Sequence, residues 1–362
     1  VVYALERQGF VRPHLADEND KRTIYLVDMH EPLMFLHNLE TTIKEPFASN
    51  PAVLDAVEKN HKKLQIAMTK LYPGNLVLSL SSGVMHHRLV DRITSLNDVP
   101  REPLVPRRLG KNMCVPFGKI LRGKVVPNTV TKTLHTDKVY EPDLESYTIE
   151  PFPYYSPLNS QIETIRSFDR PVILVDDLVH KADRLRVLVP KLRETGIPIK
   201  KVVVGVLSGY GRDLMQQLKV PVESIYSMPN VRQWFVESTL YPFIGGDTVR
   251  REEMKVAGLQ PSINMILPYA TPRLSGCSRE ALVEFSACCI ENSRDLFQVL
   301  EAEYRKMYAK NLTLSRLSEA VILPLCPDKG SCMEYDENLA ASVYLENDLE
   351  TLWRMKEFLI KG

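Results

Sequence analysis

The apolar positions of this chain change period several times, and each change marks an element. Across residues 50–71, Leu54, Val57, His61, Leu64, Met68 and Leu71 recur every three or four residues, which is the spacing of one helical face. Asn50-Pro51 starts that helix and Tyr72-Pro73-Gly74 ends it. Residues 23–29 and 76–80 read as short apolar strands. Ser81-Ser82-Gly83 follows the second as a tight turn, and residues 84–93 form the helix after it. Residues 98–128, rich in Pro, Gly and basic side chains, read as long loops. Residues 129–150 read as a hairpin with an exposed polar tip at 133–138.

Further on, Val172-Ile173-Leu174-Val175 runs straight into Asp176-Asp177-Leu178-Val179 as a buried strand. A helix over 182–195, closed by Gly196, separates it from a strand at 201–207, and a shorter strand lies at 222–227. Continuous apolar strands alternating with helices indicate a parallel sheet covered on both faces. After residue 250 the pattern becomes helical. Leu282, Phe285, Cys289, Leu296, Val299 or Leu300, and Met307 form a stripe along a helix at 278–310, and residues 336–360 read as another helical segment. The expected fold is therefore α/β: a parallel-sheet core with helices on both faces and a helical C-terminal extension. The expected boundaries are 1–45, 46–250 and 251–362.

Composition adds limits. At 362 residues, 44% hydrophobic and 25% charged, the chain is an ordinary globular one with room for two domains. It has no run of about 18 apolar residues and no visible leader, so a cytoplasmic location is expected. It begins with Val, as a piece of something longer would. A net charge of +1 indicates no general grip on nucleic acid. Six cysteines without a CxxC pair read as reduced thiols. The Cys326 to Cys332 spacing suits a local disulfide or half of a metal site that lacks its partner pair.

The chemistry centres on Asp176 and Asp177. Two aspartates where a strand bends into a loop reach a ligand at the carboxyl edge of a parallel sheet. Paired carboxylates there suit sugar hydroxyls or a hydrated Mg²⁺ ion. The plainer alternative is one helix cap and one solvated charge.

Four apolar residues followed by an acidic pair resemble the phosphoribosyl pyrophosphate (PRPP) motif of the type I phosphoribosyltransferases. In that family the acidic pair holds ribose hydroxyls, and a Thr/Gly loop after it cradles the 5′-phosphate. The resemblance extends to Ser81, Ser82 and Gly83 at the pyrophosphate-loop position. It also extends to Lys132-Thr133-Leu134-His135-Thr136-Asp137-Lys138 as the flexible closing loop, and to residues 201–207 as the following strand. It implies catalytic roles for Asp176, Asp177, His180 and Lys132, and Mg²⁺ on the two aspartates. Donor-binding roles fall to Ser81, Ser82, Gly83, Lys138, Lys181, Asp183, Arg184 and Arg212. The departure is the loop itself: His180-Lys181-Ala182-Asp183-Arg184 replaces the Thr/Gly run. Ala182 puts a Cβ where backbone approaches phosphate, and Asp183 adds negative charge there. Lys181 and Arg184 offer charged donors in exchange.

Other candidates are weaker. Ser208-Gly209-Tyr210-Gly211-Arg212 follows the next strand, as an anion loop or a plain turn. Residues 242–247 form a Gly-bearing turn that would suit an acceptor pocket. His86 and His87 lie on a helix, and His135 and His180 sit in the two ligand loops as candidate acid–bases. Residues 4–10 with the strand ending Val27-Asp28-Met29 resemble the tail of a GNAT-type acetyltransferase, which would imply a fusion partner upstream of residue 1. The expected partner is a phosphorylated ribose or nucleotide, with no membrane and no nucleic acid; homo-oligomerisation is left open, the 278–310 stripe serving as core or as subunit interface. Three functions compete: a phosphoribosyltransferase-like enzyme, an inactive nucleotide or phospho-sugar sensor, and a metal-dependent phosphohydrolase. The third is disfavoured because no further Asp, Glu and His cluster together in the sequence.

Overall fold

The computed structural model describes residues 31–361 except 107, 119, 122–123, 252–255, 257 and 330–333, together with strands β1 (Val11–Pro13) and β2 (Ile24–Leu26). The GNAT-like residues 4–10 and 27–29 lie outside the described residues. The chain divides into two compact units that interleave in sequence: 1–32, 80–138 and 149–232 form the first, and 33–79, 139–148 and 233–362 the second. The expected break near residue 250 falls inside the second unit.

The first unit is built on a seven-stranded sheet. Its other strands are β5 (Met113–Pro116), β6 (Val130–Thr131), β9 (Val172–Val179), β10 (Ile199–Ser208) and β11 (Val222–Met228). The spatial order is β1-β2-β11-β10-β9-β5-β6. Every pairing from β2 to β6 is parallel, and only β1 runs antiparallel to its neighbour. Val172 to Val175 are each 0% exposed, as a strand covered on both faces requires. On one face Val172, Leu174, Val202 and Val204 pack with Ile162 and Ile165 of α3 (Leu158–Arg166) and Leu185 and Leu188 of α4 (Asp183–Glu194). Each such side chain contributes roughly 1.5–3 kcal/mol on burial. On the other face, α2 (Ser82–Leu96) packs on β10 and β11.

Three expectations need correction here. Residues 98–128 are not all loop: β5 lies within them, four residues long and wholly buried. The hairpin tip is not at 133–138, where Thr133, Leu134, Thr136 and Asp137 are buried and β7 (Thr136–Tyr140) begins. The turn instead spans 141–146, ahead of β8 (Tyr147–Pro151), with Glu141 N donating to Ser146 O at 3.0 Å. Finally, the strand at 76–80 is β4 (Val77–Ser81), which belongs to a different sheet.

That sheet, ordered β12-β3-β4, lies in the second unit. β3 (Leu33–His37) pairs in parallel with β12 (Gln233–Val236), Leu33 opposite Gln233 and Leu36 opposite Val236. The core beside it is helical. α1 (Pro51–Leu71) packs on α6 (Arg279–Tyr308), and α6 on α7 (Ala341–Lys361). Asn60 and Asn292 tie α1 to α6 by donating to each other's backbone carbonyls at 2.7 and 3.0 Å. The stripe of Phe285, Cys289, Leu296 and Leu300 is buried in this core, while Met307 stays exposed. The C-terminal region also carries β13 (Asp247–Val249), β14 (Gln260–Ile263) and β15 (Leu325–Pro327), strands that the helical reading omitted. Cys114, Cys277, Cys288, Cys289 and Cys326 are free thiols, and Cys332 lies outside the described residues. Among the described residues no helix is long and apolar enough to cross a membrane.

Candidate functional site

The order of strands in the first unit reverses at one place. From β5 the chain steps out to β6, then returns past β5 to β9 and continues outward to β10 and β11. In open parallel sheets a ligand crevice opens beyond the carboxyl ends of the strands at such a reversal. Here the ladder between β5 and β9 stops at Pro116 opposite Val175, with Phe117 N donating to Val175 O at 3.0 Å as the last rung. β9 runs on to Val179 beside β10, so from Asp176 onward its other edge is open. The aspartates therefore lie within the strand, not at its last residues as the sequence suggested.

Their side chains serve that open edge. Asp176 Oδ1 accepts from Asp177 N at 2.8 Å, and Asp177 Oδ1 from Leu178 N at 3.0 Å. Strand alternation starts the two side chains on opposite faces, but the carboxylates stay close enough to interact directly. Asp176 follows Leu174 toward the α3/α4 face and is 5% exposed. Asp177 takes the α2 side, where Gly205 leaves room: a Cβ there would stand 2.1 Å from Met85 Sδ and 2.7 Å from Asp177 O. A residue the sequence reading passed over completes the site. Gly118, two residues beyond β5, abuts Asp176 so closely that a Cβ would fall 1.6 Å from Asp176 Oδ1. Its signal was a lone glycine just after an apolar segment that was itself missed.

Burial pushes the Asp176 carboxyl well above the usual carboxylate range. The neighbouring Asp177 charge adds to that, and Arg184 opposes it. Burial and a second acid outweigh the Arg184 guanidinium here. That fits the expected Mg²⁺: a divalent ion, which prefers oxygen ligands, would relieve both terms, with Asp176 and Asp177 as the residues to hold it.

Beyond β9 lies an open pocket of about 520 Å³ lined by His180, Lys181, Asp183, Arg186 and Tyr210. His180 Nδ1 lies 2.8 Å from Ser208 Oγ, which also caps α5 (Gly209–Gln217) by accepting from Gly211 N at 3.0 Å. Burial, and then the Lys181 charge, hold His180 below the usual histidine pKa. Ala182 adopts a left-handed conformation, φ +52°, at the start of α4, whose first N–H groups receive no side-chain cap. Lys138 Nζ, on β7, stands 3.7 Å from Asp183 Oδ2 at the start of α4.

The remaining predicted residues divide. Ser81 is an N-cap, its Oγ accepting from Val84 N at 3.5 Å, and Ser82 and Gly83 open α2; this turn does not follow a strand of the seven-stranded sheet. Residues 117 and 118 are the ones that follow β5 in the seven-stranded sheet. Lys132 is exposed, and its backbone N donates to Cys114 O at 3.0 Å. Arg212 is 55% exposed, 3.9 Å from Asp213. Gly209 and Gly211 are required by packing, since Cβ atoms would meet Pro229 O at 2.6 Å and Val179 O at 2.2 Å. His87 Nδ1 bonds the Gly83 carbonyl of its own helix at 2.9 Å, and His135 stacks on Tyr155 with centroids 3.7 Å apart. The turn at 242–247 lies in the second unit, where Gly245 O accepts from Asn264 Nδ2 at 2.7 Å. The sequence showed no further cluster of Asp, Glu and His, but the structure contains one. His37, His61 and Glu237, far apart in sequence, form a cluster in the second unit, where burial and the nearby His61 lower the His37 pKa to about 3.

No family model matches the sequence, and no curated protein matches it. Among solved structures, the chain is similar to a purine phosphoribosyltransferase from Pyrococcus horikoshii Ot3. The identity is 10%, the match covers 42% of this chain and 88% of that one, and the TM-score is 0.26.

Proposed function

We propose that the first unit binds a ribose 5-phosphate donor such as PRPP, with Mg²⁺, beyond the carboxyl ends of β5 and β9. The observation that carries this reading is the acidic pair Asp176-Asp177 at the reversal of the parallel sheet, closed on one side by Gly118. Asp177 and Asp176 would hold the ion and the ribose hydroxyls, and Mg²⁺ would supply charge for a leaving pyrophosphate. The N-terminal turn of α4 with Lys181 and Arg184 would face the 5′-phosphate. His180, its pKa held down by burial, is suited to accept a proton from an incoming nucleophile. Thermal denaturation tests this: PRPP should raise the melting temperature only with Mg²⁺ present, and Asp177→Asn should remove the shift. No shift with PRPP in either condition refutes the reading.

A second reading, a non-catalytic sensor of a nucleotide or phospho-sugar, is favoured by one observation. Asp183 sits in the first turn of α4, where a phosphate would bind, and takes Lys138 as its partner. Pyrophosphate release in the presence of a panel of bases separates enzyme from sensor.

A further inference from the structure

The second unit holds a polar cluster with no role in the ribose reading. His37 ends β3 and Glu237 follows β12. The parallel register pairs Leu36 with Val236, so the two strands deliver His37 and Glu237 at the same edge. His61 comes from the middle of α1 with Gln65 one turn later, and Ser79 from β4.

The Glu237 side chain is 1% exposed, and among the described residues its ion-pairing neighbours are His37 and His61 alone. Its oxygens face the same atom of each ring: Oε1 lies 3.1 Å from His61 Nδ1, and Oε2 3.6 Å from His37 Nδ1. A carboxylate only accepts hydrogen bonds, so His61 carries its proton on Nδ1 and presents a lone pair at Nε2. His37 Nδ1 is buried without a hydrogen-bond partner, and a lone pair there would point at the same negative charge. A proton on Nδ1 removes that conflict and leaves His37 Nε2 a lone pair too, with the Ser79 hydroxyl beside it. Yet the two Nε2 atoms are 2.5 Å apart. Shifting the His37 proton to Nε2 would satisfy that contact but turn a buried lone pair toward the carboxylate, at a cost of about 1–3 kcal/mol. A cation on the Nε2 side satisfies all four nitrogens at once. Metal-binding imidazoles show this arrangement, with the second ring N–H held by a carboxylate.

We propose that His37 Nε2 and His61 Nε2 bind a divalent transition-metal ion, with Glu237 holding both Nδ1 protons from behind. Imidazole pairs select ions such as Zn²⁺ over Mg²⁺ or Ca²⁺. Zn–N bonds of about 2.0–2.1 Å require the two nitrogens to part by less than about 1 Å. Gln65 Nε2 lies 2.8 Å from Ser79 Oγ, and Ser79 Oγ hydrogen-bonds His37 Nε2, so both polar groups border the remaining coordination positions. Two protein nitrogens do not complete a tetrahedral shell. The side chains of His37 and His61 keep 16% and 21% exposure, so water or an oxygen-bearing ligand completes it. The site is thus an open one, unlike a closed structural zinc site.

The test is a Zn²⁺ titration of the full chain against a chromophoric chelator. One equivalent should bind. The His37→Ala/His61→Ala pair should lose it, and the isosteric Glu237→Gln should keep the stoichiometry with affinity lowered by about 10–100-fold. Absence of binding by the folded wild type overturns the proposal, as does retention of the equivalent by a folded double variant. If the variants do not fold, Co²⁺ absorption of the wild type decides: ligand-field bands without thiolate charge transfer support the site, and thiolate charge transfer assigns the metal to cysteines instead.

Discussion

At the scale of the residue, the site turns on an unusual pair of neighbours, a buried acid and the glycine pressed against it. With Oδ1 of Asp176 at 1.6 Å from the ideal Cβ position, Gly118→Ala must displace the carboxylate or the β5 backbone. It should lower stability by roughly 1–3 kcal/mol in urea denaturation and abolish the ligand-induced thermal shift. Asp176 makes a pH prediction with a definite sign. Its folded pKa lies above the unfolded value, so folding favours the protonated acid. The ionised group costs no stability below the ordinary carboxylate range, and the cost grows as pH rises through the raised value. Asp176→Asn removes that cost. In metal-free protein it should raise the melting temperature at pH 7, with a gain that shrinks as pH falls toward 4. A loss of stability at pH 7 would contradict the assignment.

At the scale of the element, capping and backbone conformation set the expectations. Asn50 Oδ1 accepts from Ala52 N at 2.9 Å and Val53 N at 3.3 Å at the start of α1, so Asn50→Ala should cost about 1 kcal/mol in chemical denaturation. Ala182 pays for its left-handed conformation, and Ala182→Gly should be neutral or stabilising by up to about 1 kcal/mol. Elements with strong periodicity were legible in the sequence: the α1 prediction of 50–71 meets an observed Pro51–Leu71, and the 171–179 strand an observed Val172–Val179. β5 was not legible. Four residues carry no period, and Met-Cys-Val-Pro is buried by neighbours more than 50 residues away. The misplaced hairpin tip has a similar cause, since Thr133, Thr136 and Asp137 are polar yet buried by tertiary packing. The acidic pair was legible as a pattern because its two residues are adjacent in the sequence. Gly118 and the His37, His61 and Glu237 cluster were not, because only the strand pairings bring those residues together.

At the scale of the whole molecule, sequence order and spatial order differ. The second unit draws on segments before residue 80 and after residue 232, so no cut in one place separates the units. A fragment ending at residue 250, where the hydropathy pattern changes, would lack α6 and α7 and leave Leu64, Met68 and Leu71 of α1 without most of their core. It should show no cooperative thermal transition for that unit by circular dichroism. The reversal of strand order between β5 and β9 is likewise a property of the whole sheet, and the proposed role of the aspartates rests on it. Calorimetric titration of the full chain with PRPP tests that role most directly. A single site should saturate with Mg²⁺, be absent without it, and be lost in Asp177→Asn. Binding that ignores Mg²⁺, or that survives Asp177→Asn unchanged, would contradict that role.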